Sequence, residues 1–350
     1  MILKTTDLNN ALKALSGVIP PKSTVPIVEN VFIKKHTDNS VYVLGTNYET
    51  FMCLSMLAEE PEDILLPFSL FYKTVQSISS EYIKINGGQI EAGNSVFNIQ
   101  PMNHEDFPQL PSLVDGKTIE LSRTHFQSAL QTVVHFVATD DLRPVMSGIN
   151  IVVEGDKMKV YGSDGSVLMR VEIPVRYSET LEATINKNFA RMVQFFNEDI
   201  ELIVTDKQIC LKDEETTMFS RRIEGVMPKF DTVFPNINDR CKVKGLADAM
   251  LKSFNLAAIY ANKNSNLLKV TVSDCMLIES QDLDYSVSSS VKHSCEIGGI
   301  AMVGLSSQKI VPVLQVMKTL PVEIYIGEPD KSVYFQSSLC DGVIMPMRIN

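Results

Sequence analysis

An apolar stripe at helical spacing occurs three times in this chain of 350 residues, at nearly equal intervals. Leu8, Ala11, Leu12 and Leu15 form the first, Phe126, Ala129, Leu130 and Val133 the second, and Leu246, Ala249, Met250 and Phe254 the third. A second stripe follows each one: Phe71, Val75 and Ile78; Phe189, Val193 and Phe196; Ile310, Leu314 and Met317. The first set starts at intervals of 118 and 120 residues and the second at 118 and 121. A polar hinge keeps the same step: Gly45-Thr46-Asn47, Gly162-Ser163-Asp164 and Ser280-Gln281-Asp282. Three landmarks returning at one period define an internal repeat, so the chain is expected to fold as three copies of one unit.

Within each copy the first stripe follows a strand-like run, at 2–5, 118–121 and 242–244. After the second stripe come alternating runs at 82–85 and 96–99, 201–204 and 208–211, and 322–326 and 333–335. Two helices on largely antiparallel sheets is an α+β arrangement. Breaks fall at 113–117, with its Asp115-Gly116 turn, and at 236–240 after Pro235. They give three domains: 1–115, 116–239 and 240–350. Asp7 and Ser122 are candidate N-caps for the first helices of copies one and two. Pro312 interrupts the sixth stripe, which places the start of that helix late.

The net charge is −10, which argues against a broad basic nucleic-acid surface. Charge nevertheless follows the repeat. The six helical stretches carry Lys13, Lys73, Arg123, Lys187, Arg191, Lys252, Lys309 and Lys318 against Asp248 alone, about +7, leaving about −17 for the remainder. One weakly positive surface on an acidic body is the expectation. No run approaches the ~20 apolar residues of a membrane span, and the N-terminus lacks a signal-peptide pattern. Six scattered cysteines read as reduced thiols, and the location as cytoplasmic.

Catalytic and cofactor signatures are missing. The cysteines form no CxxC pair, the five histidines are isolated, and no phosphate-binding glycine loop or nucleophile elbow occurs. No metal or cofactor is expected. Asp140-Asp141 is the one carboxylate pair that could serve an enzyme, but adjacent side chains share a face on neither a strand nor a helix. The chain's last stretch, 343–350, is apolar and holds Met345-Pro346-Met347. Proline cannot donate to a β ladder, so these residues are expected to leave a sheet and lie along a surface.

Several motifs, in order and spread over nearly the whole chain, resemble the β subunit of bacterial DNA polymerase III, the β sliding clamps. They include 22–28 (KSTVPIV), 106–111 (DFPQLP), 139–148 (TDDLRPVMSG), Ser163-Asp164-Gly165, 222–230 (RIEGVMPKF) and Met345-Pro346-Met347-Arg348. The resemblance implies three similar domains per chain and two chains joined head to tail into a ring. Helices line a hole that passes duplex DNA without regard to sequence. It implies no catalysis. The implied function is a processivity factor that tethers the replicative polymerase, is opened by a clamp loader and serves other proteins carrying clamp-binding motifs, with no membrane partner.

Carried over by motif, the partner-peptide pocket comprises Met146, Ser163, Gly165, Val167, Leu168, Pro228, Thr232, Val233, Val343, Met345, Pro346, Met347 and Arg348. Lys13, Lys22, Lys73, Arg123, Arg191 and Lys252 would face DNA. Phe97, Ile99, Ile259 and Tyr260 would join the two chains. Family members often have arginine at the positions of Val167 and Thr232, so this pocket should be less basic and more apolar. Asn350 extends the usual ending by one residue. The alternatives are a divergent or mobile-element clamp with altered partners and, in another class, an enzyme using Asp140 and Asp141.

Overall fold

The computed structural model describes residues 1–111, 116–139 and 143–349. The repeat is visible element by element. Copy one runs as strand Ile2–Lys4, helix Thr5–Leu15, strands Asn30–Thr37, Ser40–Thr46, Thr50–Glu59 and Ile64–Pro67, helix Phe68–Ser77, then strands Tyr82–Asn86, Gln89–Ala92 and Ser95–Asn98. The same order of eight strands and two helices returns twice, starting at Lys117–Ser122, where the short helix Pro144–Ser147 is added, and at Cys241–Leu246. The short strand Glu296–Gly298 is an addition peculiar to copy three among the described residues.

The stripes form helices for the expected reason, since Leu8, Leu12 and Leu15, and likewise Phe126, Ala129, Leu130 and Val133, are fully buried. Copy three is shifted. Leu246 ends a strand and is 61% exposed, and the buried face of Ala247–Ala258 is Ala247, Met250, Leu251, Phe254 and Ala257. The expected caps are not used. Asp7 lies in the first turn after Lys4, where its charge favours the helix N-terminus. Ser122 precedes its helix, but its hydroxyl donates to Glu198 at 2.6 Å. Pro312 sits in the interior of Ser307–Val316 rather than in its first turn. The carbonyl that loses its helical donor belongs to Gln308, an exposed residue.

Hinges one and two are built alike. The Thr46 hydroxyl donates to Thr50 O and accepts from Tyr48 N–H, while Asn47 Oδ1 accepts from Glu49 and Thr50 N–H. Ser163 and Asp164 repeat this with Val167, Gly165 and Ser166. At the first position of the second hinge, Gly162 lies against the helix end, where a Cβ would come within 2.2 Å of Val133 O. Copy three has Ser280 there, and its hydroxyl donates to Ala257 O at 2.6 Å.

The chain divides into two compact units, 1–127 with 175–177 and 185–223, and 128–174 with 178–184 and 224–350. The repeat does not follow this division, because copy two contributes strands to both. In the first unit Thr50–Glu59, the strand after the hinge in copy one, pairs antiparallel with Thr216–Arg221, the last strand of copy two. In the second unit Val167–Pro174, the equivalent strand of copy two, pairs with Asp341–Ile344, the last of copy three. A twelve-stranded sheet results in the first unit, and a nine-stranded and a four-stranded sheet in the second. One rule thus joins each copy to the next. It leaves Ser95–Asn98, the last strand of copy one, and Val287–His293, the post-hinge strand of copy three, at sheet edges.

Candidate functional site

In the second unit one face of the nine-stranded sheet is covered by the segment between copies two and three. Alternation along Val167–Pro174 puts Leu168, Arg170 and Glu172 on that face. The register sets Tyr161 opposite Arg170, Val343 opposite Leu168, Asp341 opposite Arg170, and Tyr334 opposite Val343. Residues 224–240 cross this ladder as a strap. Phe230 stacks on Tyr161 with ring centroids 5.0 Å apart, and Phe234 meets Tyr334 edge-on at 6.1 Å. Tyr161, Leu168, Phe230, Tyr325, Tyr334 and Val343 form the buried cluster, with Met146, Met227, Phe234 and Ile237 packed against it.

A charged layer fastens the strap. Arg170 Nε and Nη2 donate to Asp341 Oδ1 and Oδ2 at 3.0 and 2.6 Å, and Nη1 donates to Asp231 Oδ1 at 2.9 Å. The guanidinium carbon lies 4.2 Å from the centre of the Phe234 ring. Asp231 also accepts from the Tyr161 hydroxyl at 2.7 Å and from Lys159 at 2.6 Å. Burial works against the ionised Asp231, but Lys159, Tyr161 and Arg170 together outweigh it and hold the carboxyl below its ordinary range. Burial, aided by Asp231, pushes the Tyr161 phenol upward.

The chain leaves the sheet at Ile344 as Pro346 requires. Met345 N–H donates to Ser166 O, and Met347 N–H to Gly304 O, both at 2.8 Å. The tail therefore crosses from the nine-stranded sheet to strand Ala301–Ser306 of the four-stranded one. Gly304 is needed for the approach, since a Cβ there would lie 2.5 Å from Met347 O.

Most of the residues expected to form a peptide pocket gather here, where the strap and the tail flank the ladder. Leu168 and Val343 are buried in the cluster. The strap supplies exposed Pro228 and Thr232 and half-exposed Val233, while the tail supplies half-exposed Met345 with Pro346 and Met347; Met146 packs beneath and Arg348 is exposed. Two expected members are placed otherwise. Val167 is 2% exposed and, one residue from Leu168, points to the opposite face, so it is a core residue. Ser163 is buried, and its hydroxyl serves the hinge. Gly165 is exposed with φ +89, a backbone conformation that favours glycine.

The basic helices are less positive than their sequence. Their bounds include Asp7 and leave out Lys318, giving seven basic residues against two acidic. Arg123 pairs with Glu198, Lys252 with Asp248, and Lys309 with Asp164. Lys13, Lys22, Lys73 and Arg191 are exposed. Phe97 lies on edge strand Ser95–Asn98 beside exposed Val96, whereas Ile99 is buried and contributes to the interior. Ile259 and Tyr260 are exposed past the end of helix Ala247–Ala258, next to exposed Leu256.

Catalytic chemistry has little to work with. Burial pushes the Cys53 and Cys210 thiols up to about 12 and that of Cys340 to about 11, far from a reactive thiolate. No group of three metal-ligating side chains occurs among the described residues, which exclude Asp140 and Asp141. No helix there is long and apolar enough to cross a membrane.

An α+β chain whose copies join strand to strand by one rule has the architecture of a sliding clamp. The sequence pattern described as DNA polymerase III beta subunit, N-terminal domain, matches residues 1–111 and again 118–228. The beta sliding clamp of Synechocystis is 22% identical, over 96% of this chain and 95% of its own length. That of Pseudomonas putida is 20% identical, over 97% and 96%. The crystal structure of the DNA polymerase III subunit beta from Pseudomonas aeruginosa superposes with a TM-score of 0.92 at 18% identity, covering all of both chains. The chain belongs to the DNA polymerase III beta subunit family. Members are sliding clamps, processivity factors for DNA polymerase with no catalytic activity of their own.

Proposed function

We propose that two copies of this chain close head to tail into a ring around duplex DNA and hold the replicative polymerase to its template. The observation that carries this reading is the joining rule. Every post-hinge strand pairs with the last strand of the next copy until the chain runs out, leaving Val287–His293 and Ser95–Asn98 as open edges. An open edge invites a further strand, and two chains satisfy both edges at once, Val287–His293 of one against Ser95–Asn98 of the other. Phe97, Val96, Ile259 and Tyr260 supply apolar surface at such a joint. The domains of the ring are 1–115, 116–239 and 240–350, and the helices with Lys13, Lys73 and Arg191 face the DNA.

A topological tether needs little phosphate affinity, and tight binding would slow sliding, which suits helices whose charge is partly cancelled by Glu198, Asp248 and Asp164. Between the strap and the tail, a groove floored by Leu168 and Val343 takes a short apolar peptide from the polymerase, the clamp loader or another partner, and the protein acts in the cytoplasm. Burying one leucine or phenylalanine anchor contributes roughly 1.5–3 kcal/mol, so single-site binding is modest and permits exchange. Thr232, exposed on the strap, and Val167, buried in the sheet, both stand where family members often have arginine, which favours altered partner choice as the second reading. Loading onto a nicked circular plasmid with the cognate loader tests the reading: the protein stays through gel filtration in high salt and is released when the plasmid is linearised. Retention on the linear form, or no retention on the circle, overturns it.

A further inference from the structure

We propose that Arg170 is a positioning residue for partner binding, fixing the strap to the sheet and thereby setting the separation of the two lips of the groove. The inference rests on reading the groove as a partner site. Arg170 lies on the same strand face as Leu168, two residues beyond the groove floor. Its guanidinium holds three segments: its own strand, the tail strand through both oxygens of Asp341, and the strap through Asp231 and the Phe234 ring.

Each lip begins at one of these contacts. Asp231 directly precedes Thr232 and Val233, and Asp341 opens the strand that delivers Val343 and then Met345. The tail lip is also tied by Met345 N–H to Ser166 O and Met347 N–H to Gly304 O, whereas the strap lip around Thr232 and Val233 depends on Asp231. Thr232 bonds only its own turn, through Lys229 O, and Val233 and Met345 are both about half exposed. A planar fork that takes a carboxylate with two parallel bonds and still presents an edge and a face to the strap requires arginine; lysine, a point charge on a flexible stem, supplies neither. The partners are themselves held, Asp341 by the Tyr334 hydroxyl at 3.0 Å and Asp231 by Lys159 and Tyr161. Rigidity of this kind improves binding by removing the ordering that a mobile lip would have to undergo.

The test compares wild type with Arg170→Lys, Arg170→Met and Asp231→Asn. The last takes the charge from a half-exposed carboxylate, weakening its contacts with Arg170, Lys159 and Tyr161 while keeping the Arg170–Asp341 pair, so it is the milder change and is expected to fold even where the arginine variants do not. A fluorescent peptide of the C-terminal residues of the cognate replicative polymerase is titrated well below each melting temperature. Methyl resonances of Met345 and Met227 are followed in methionine-labelled protein without peptide. The expected result is at least a tenfold loss of affinity in the arginine variants and several-fold in Asp231→Asn, with shifted or broadened Met345 and Met227 signals in unliganded protein. A purely structural role predicts lower melting temperatures with affinity and resonances of the folded fraction unchanged, and that outcome overturns the proposal. Wild type that binds no peptide sinks the groove reading and this assignment together; variants that bind like wild type sink the assignment alone.

Discussion

At the scale of single residues, close backbone approach decides more than side-chain chemistry does. Gly162 packs its Cα against Val133 O, a main-chain atom at the end of a helix, and cannot be relieved by a rotamer change. Gly162→Ala is expected to destabilise the protein by about 1–3 kcal/mol in urea unfolding. Gly45→Ala, at the same point of copy one, meets only the side-chain ends of Ile19 and Leu15 and is expected to cost less. Asp231 carries a pH signature. Its folded carboxyl is held below the ordinary value, so its contribution is complete above about pH 4 and is lost as pH falls through the lower folded value. The stability difference between wild type and Asp231→Asn at neutral pH should therefore shrink on acidification, as read by melts between about pH 6 and pH 3. A difference that stays constant over that range contradicts the assignment.

At the scale of elements, the tail has two roles. It offers half-exposed Met345 to the groove, and it ties two sheets together through Met347 and Gly304. Deleting residues 345–350 removes two backbone hydrogen bonds, each worth about 0.5–1.5 kcal/mol, together with one groove wall. The expected outcome is loss of peptide binding with a stability decrease of about 1–3 kcal/mol, measured by titration and urea unfolding on the same samples. The helices show a similar division of labour. Their buried stripes were legible because period 3.6 is a local property, whereas their ends were not. Lys4, not Asp7, precedes the first helix, and Ser122 is turned toward Glu198 by a strand distant in sequence.

At the scale of the whole molecule, charge and edges carry the predictions. Exposed cations contribute little singly, so Lys13, Lys73 and Arg191 are best reversed to glutamate together. The triple variant should fold normally and be lost from circular DNA at lower salt than wild type; equal retention across a salt series would show that these helices do not face DNA. Phe97→Asp places a charge on the open edge Ser95–Asn98, next to apolar Val96. Light scattering at micromolar concentration should find wild type dimeric and this variant shifted to monomer.

Periodicity, hinge residues and turn signals lie within short windows of chain, and those windows by themselves determined the threefold repeat, the α+β class and the apolar, proline-broken tail. Motif order along the chain added the family. Tertiary structure alone decided which neighbours the strands find. Pairing Thr50–Glu59 with Thr216–Arg221, or Val167–Pro174 with Asp341–Ile344, brings together residues more than 150 positions apart, and no local pattern encodes that register. The register turns Val167 into the core and Leu168 onto the groove floor, and it places Arg170 between Asp231 and Asp341. A lone arginine in a strand reads locally as a solvated charge. Its partners come from a strap 61 residues away and a strand 171 residues away, and long-range pairing is what converts it into the fastening of the site.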